Sequence, residues 1–156
     1  MLFLRIEKQR EADMEEHTIS LLKECSSGCK MAMRTIQQVR EYARDEKLER
    51  LLDAYEKKHR DLEKSTIQLL EHYNKKDEEP GKMAEFMAKM DIEMKMLVHA
   101  DSHQIAKLMM DGCNMGIQAL SEKINQYTEA SKESLDIAKK IVKAEEDFMA
   151  EMKEFL

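Results

Sequence analysis

The chain has no tryptophan, one proline and only four glycines in 156 residues. An average composition would supply roughly nineteen Gly and Pro together. Aromatic residues make up 5%. Sandwiches, barrels and doubly wound sheets need frequent turns and β-formers, so this shortage argues against them. No run approaches the ~20 apolar residues of a membrane span. The apolar start Met1–Ile6 is too short for a secretory signal core, and charges follow it at once. Three cysteines in a chain read as non-secretory point to reduced thiols and a cytoplasmic location. A net charge of −6 with no basic cluster makes a poor ligand for phosphate backbones, so no nucleic-acid partner is expected.

What remains is charge and methionine. Charged residues are 37% of the chain, hydrophobic residues 42%, and Met occurs 14 times. That balance describes long amphipathic helices in one domain, long enough to bury a core without disulfides. Residues 1–12 read as an N-terminal extension. The domain runs over 13–156, as a hairpin (13–74), a crossover (75–100) and a second hairpin (101–156).

The first helix is predicted from Asp13 to Arg44, with Asp13 and Glu16 as a capping box. Its seam is Leu22, Cys25, Cys29, Ala32, Ile36, Val39 and Ala43, in alternating steps of three and four. Continuing that phase would place Arg50 and Lys57 inside. A new phase starts with Leu48, Leu52, Tyr55, His59, Leu62, Thr66, Leu69 and Tyr73, and Asp45 offers its N-cap. Pro80-Gly81 marks the clearest loop. A Met-rich amphipathic stretch follows (Met83, Met87, Met90, Met94, Leu97, flanked by Phe86). The phase slips again at His99 and His103, where Asp101 with Gln104 forms another capping box. A third helix then carries Ile105, Ala106, Met109, Gly112, Cys113, Gly116 and Leu120. The fourth starts near Thr128 or Ser131 and carries Leu135, Ala138, Ile141, Val142, Phe148, Met149 and Met152. One unbroken helix over 101–156 would be about 84 Å long and would demand an extended oligomer, so a hairpin is expected.

Gly28-Cys29-Lys30-Met31-Ala32-Met33 matches Gly112-Cys113-Asn114-Met115-Gly116-Ile117 at an offset of 84 residues. Leu21 aligns with Ile105, Leu22 with Ala106, and Ile36 with Leu120. The paired glycines predict close helix approach. Hairpin, long crossover and hairpin in this order resemble the ferritin-like four-helix-bundle superfamily. The stretch SHQIAKLMMDGCNMGIQAL, with the downstream INQY and an acidic last helix, resembles an uncharacterised bacterial branch of it. The resemblance covers about Thr18 to Leu156. It implies an all-α antiparallel four-helix bundle built from two repeated hairpins, with an extra Met-rich crossover helix and no established activity.

Ferritin-like di-iron sites take a Glu from each of two helices and a Glu-x-x-His from each of the others. Here Glu56-x-x-His59 is one match. Its repeat equivalent, Glu146 to Met149, has no His. Glu24 falls beside the first seam, and Asp111 faces away from the third. The ligand set is incomplete.

The inward-facing polar or reactive residues are Cys25, Cys29, His59, Thr66, Cys113 and Glu145. A buried ionised group needs a partner, so His59 and Glu145 are expected to meet or share a polar pocket. That pair has a structural reading, fixing helix register, and a metal reading with Glu56. Cys25, Cys29 and Cys113 could join His59 around zinc, or simply fill the core as small hydrophobes. The Met stripe Met83–Met96 is either packing or an adaptable apolar surface.

No activated Ser, oxyanion loop or phosphate cradle is present, which argues against an enzyme. The leading expectation is a non-catalytic bundle acting in protein interaction or self-association, with a homodimer or a protein partner. The alternatives are an iron- or zinc-binding bundle using Glu56, His59 and Glu145, and an apolar-ligand carrier with its cavity beside Met87 and Met90.

Overall fold

The computed structural model describes residues 1–75, 88–89 and 101–156. Among these the chain is helical and has no strand. We number the helices α1 (Leu2–Arg40), α2 (Glu46–His72), α3 (Ser102–Gln126) and α4 (Lys132–Met152), and a 3₁₀ turn (Lys153–Phe155) ends the fourth. The predicted Pro80-Gly81 loop, the methionines of the Met83–Met96 stripe and His99 lie outside the described residues. Among the described residues no helix is long and apolar enough to cross a membrane.

The seams became the core. Leu22, Cys25, Cys29, Ile36 and Val39 of α1 are fully buried, as are Leu48, Leu52 and His59 of α2. The buried apolar side chains form two clusters, and all four helices contribute to both. One gathers Ile36 and Val39 with Leu48 and Leu52, Ile105 and Met109, and Phe148 and Met152. The other gathers Leu21 and Cys25 with Leu62, Leu120, Ile137 and Ile141. Along α2 and α4 the passage from one cluster to the other runs through His59 and Glu145, both buried.

Two predicted caps are present, and Ser131, one of the two expected starts of the fourth helix, caps it. Asp45 accepts a hydrogen bond from the Leu48 N–H at 2.9 Å, and Asp101 accepts one from Gln104 at 2.8 Å. Ser131 accepts one from Ser134 at 3.2 Å. Each satisfies an N–H that the first helical turn leaves without a partner. The break between α3 and α4 is held from outside as well. The Ser131 N–H donates to Thr18 Oγ1 at 2.8 Å, and the Glu129 N–H donates to His17 Nδ1 at 3.2 Å. Side chains of α1 thus replace the bonds that a continuous helix would have made.

The first helix corrects its prediction at both ends. It begins at Leu2 instead of Asp13 and stops at Arg40 instead of Arg44. Residues 2–12 are therefore helical, although every one is exposed. Glu, Lys, Gln, Arg and Ala are good helix formers, so the helix continues where its buried seam ends. Asp13 is not a cap: it sits inside the helix and accepts a bond from the Gln9 side chain at 3.0 Å.

The predicted close approach is also corrected at Gly28. A Cβ placed on Gly28 would meet nothing within 4 Å. Gly28 faces open space, and the reason is a cavity.

Candidate functional site

Tyr55 and His59 stand one helical turn apart on α2, so both rings face the same way. His59 Nδ1 lies 2.9 Å from the Tyr55 carbonyl oxygen. A carbonyl oxygen can only accept, so Nδ1 carries a hydrogen. His59 Nε2 lies 2.5 Å from Glu145 Oε1. One further proton must sit between those two atoms. The pair is then either imidazolium with carboxylate or imidazole with carboxylic acid, and its net charge is zero in both forms.

Tyr55 completes the group. Its hydroxyl donates to the other carboxyl oxygen, Glu145 Oε2, at 2.5 Å and lies 3.7 Å from Cys113 Sγ. Its ring stacks on Phe148 at 3.9 Å between centroids, and the His59 ring sits 4.1 Å away on a tilt. Both side chains are thereby held by bonds and by packing. Burial, and next the charge of Glu145, push the Tyr55 hydroxyl well above its ordinary range. The same two causes, in the same order, raise the Cys113 thiol. Burial also raises Cys25 and Cys29, with Glu24 and Cys25 respectively as the next cause. These thiols remain protonated and inert as nucleophiles near neutral pH.

Beside this group is a partly open cavity of about 150 Å³ between α1 and α3. Gly28, Met31 and Ala32 line it from α1, and Met109, Gly112 and Gly116 from α3. Tyr55, Cys113 and Glu145 form part of its wall. A Cβ on Gly116 would stand 3.8 Å from the Glu145 carboxyl carbon. The absence of a side chain there leaves the carboxyl group facing the cavity. Gly28 and Gly116 border this space instead of bringing backbones together.

The metal-ligand expectations fare unequally. His59 and Glu145 meet. Glu56 is buried but turned to other partners: Arg40 Nη2 at 2.5 Å and Arg60 Nη2 at 2.7 Å. Two guanidinium groups beside that carboxylate oppose a metal cation there. Cys25 and Cys29 belong to the apolar cluster around Leu62 and Leu120. Cys113 belongs to the other cluster, beside Tyr55. Among the described residues no three or more His, Cys, Asp and Glu gather closely enough to hold a metal ion. Among the described residues, these side chains do not assemble a di-iron or zinc ligand set.

No family model, curated protein or solved structure matches the chain.

Sequence reasoning found His59 and Glu145, because a charge in an apolar seam stands out. It missed Tyr55 as their partner. The signal was there: a buried Tyr hydroxyl needs a hydrogen-bond acceptor, and this one lies one turn from His59. It also missed the Arg40–Glu56 pair, since Arg40 is at the end of its helix and outside the seam.

Proposed function

We propose that this chain is a non-catalytic helical bundle that binds a small, mainly apolar ligand between its first and third helices. The observation that carries the reading is the cavity, lined by Gly28, Gly112 and Gly116 and walled in part by a buried carboxyl group. Natural interiors are close-packed, and voids larger than a water molecule are few. Ligand sites are typically apolar concavities with a small number of placed polar groups. An apolar cavity of about this size is known to accept benzene. The site differs from the expected one: its methionines among the described residues are Met31, Met109 and Met115. Met87 and Met90 lie outside the described residues.

In this reading the scaffold is an antiparallel ferritin-like bundle of two repeated hairpins that carries no metal centre. Its support is the register of the clusters. Val39 shares one with Leu48, and Leu21 shares the other with Leu62, as two helices running in opposite directions require. Residues matched across the repeat are equally hidden: Leu21 and Ile105, Leu22 and Ala106, Cys29 and Cys113.

The test is titration of the full chain with toluene, followed at the backbone amide NMR signals of Gly28, Gly112 and Gly116. Saturable shifts at these signals are expected, with none in Gly28→Leu, whose side chain fills the space. Unchanged signals in the parent protein would sink the reading.

A second reading, self-association, is favoured by a separate observation. Leu2, Phe3, Leu4 and Ile6 of α1 are all exposed. Clustered exposed apolar side chains commonly mark contact surfaces. Sedimentation of the chain and of a Phe3→Lys/Ile6→Lys variant tests it: a dimer lost on substitution supports the reading, and a monomer at high micromolar concentration refutes it.

A further inference from the structure

We infer that residues 1–16 pair with the same segment of a second copy of this chain, antiparallel, with the basic part of each helix against the acidic part of the other. The inference rests on the self-association reading above and adds the orientation of the pair and the charges that set it.

The segment stands clear of the bundle. Helix α1 has 39 residues, against 27, 25 and 21 in α2, α3 and α4. Its first buried residue is Thr18. That is the level of the corner between α3 and α4, where Thr18 and His17 accept bonds from the Ser131 and Glu129 N–H groups. Residues 1–16 are exposed apart from the half-buried Asp13. As a helix they extend for about 24 Å. Leu2, Phe3, Leu4, Ile6 and Met14 are between 44% and 73% exposed. Phe3 and Met14 stand about three turns apart and so share a face, and Ile6 lies one turn from Phe3 beside it.

The charges along this segment are segregated. Residues 5–10 hold Arg5, Lys8 and Arg10 with one acid, Glu7, whereas residues 11–16 hold Glu11, Asp13, Glu15 and Glu16 with no base. That order opposes the helix macrodipole, which favours acids at the start. The first turn of α1 has no acid, and no side chain caps it. A parallel partner would set base against base and acid against acid. An antiparallel copy centred between Arg10 and Glu11 sets Arg5 near the other Glu16, Lys8 near the other Asp13, and Arg10 near the other Glu11. Opposite charges flanking an apolar seam set the partner and orientation of paired helices. The pairing also brings the second copy's acids to the uncapped start of α1, which offsets its dipole. A partner of one charge sign fits only one part of the segment. A second copy fits both, as a two-fold contact requires.

Sedimentation of the full chain and of three charge variants tests the pairing. The first is Arg5→Glu/Lys8→Glu/Arg10→Glu, the second is Glu11→Lys/Glu15→Lys/Glu16→Lys, and the third combines both sets. All six side chains are exposed, so each variant keeps its bundle, and unchanged helical circular dichroism checks this. The parent is expected to dimerise, with a Kd that rises at least about tenfold between about 0.05 M and 0.5 M salt. The first two variants are each expected to be monomeric where the parent is dimeric and to form a heterodimer when mixed. The third, with its charges exchanged end for end, is expected to dimerise again. If the parent dimerises but salt strengthens the dimer, or the first two variants dimerise as the parent does, or the third does not, the antiparallel pairing is wrong and the self-association reading stands. If the parent is monomeric at high micromolar concentration, both are wrong.

Discussion

His59 Nε2 and Glu145 Oε1 lie 2.5 Å apart, from positions separated by 86 residues. Their contact joins the second helix to the fourth, at the level where one apolar cluster gives way to the other. His59 is fully buried and Glu145 nearly so. The proton between them keeps the pair neutral, and Tyr55 adds a third member. Buried polar groups of this kind are stable only when every member is satisfied.

Removing one partner should therefore cost far more than replacing it with a neutral isostere. Glu145→Ala strands the His59 Nε2 and the Tyr55 hydroxyl and should destabilise by about 3–5 kcal/mol in urea unfolding. Glu145→Gln should cost less than half of that. Equal losses for the two variants would show that the hydrogen bonds at this site do not matter to stability.

Gly28→Ala should stabilise the protein. A helical Gly is less favourable than Ala by about 0.8–1 kcal/mol, and the added Cβ would meet no atom within 4 Å. A rise in melting temperature is expected. A fall would mean that the space at Gly28 is filled in solution.

Leu52→Ala should cost about 2–5 kcal/mol, since Leu52 is fully buried in the cluster with Val39 and Met152. Denaturant unfolding checks it. A loss under half a kcal/mol would contradict the packing of α2.

Alkaline pH should weaken the fold. Burial raises the folded-state values of Cys25, Cys29, Cys113 and Tyr55, so these groups keep their protons in the native state. In the unfolded chain the thiols ionise near 9.0 and the phenol near 10.0. Above those values the unfolded state binds fewer protons than the native state, so stability falls as pH rises. Below pH 9 the contribution is fully present. Urea unfolding at pH 8 and pH 10 should show a clear loss at the higher value, made smaller by Cys25→Ala with Cys29→Ala. The same burial predicts that a thiol reagent at pH 8 labels the native protein slowly and the unfolded protein at all three cysteines.

The sequence by itself determined the helices, their seams and most of their boundaries. Few Gly and Pro, steps of three and four, and Asp45, Asp101 and Ser131 at the starts are local properties, and local properties are written in neighbouring residues. It also marked His59 and Glu145, because polarity in an apolar seam demands a partner. The start of α1 was hidden, since an exposed helix leaves no apolar period to read. Three things were decided by the tertiary structure alone. Glu56 paired with Arg40 and Arg60. Tyr55 joined His59 and Glu145. Gly28 and Gly116 border a cavity, because a missing side chain admits either a neighbouring backbone or empty space. The distance between α1 and α3 settles that choice, and it depends on how all four helices pack together.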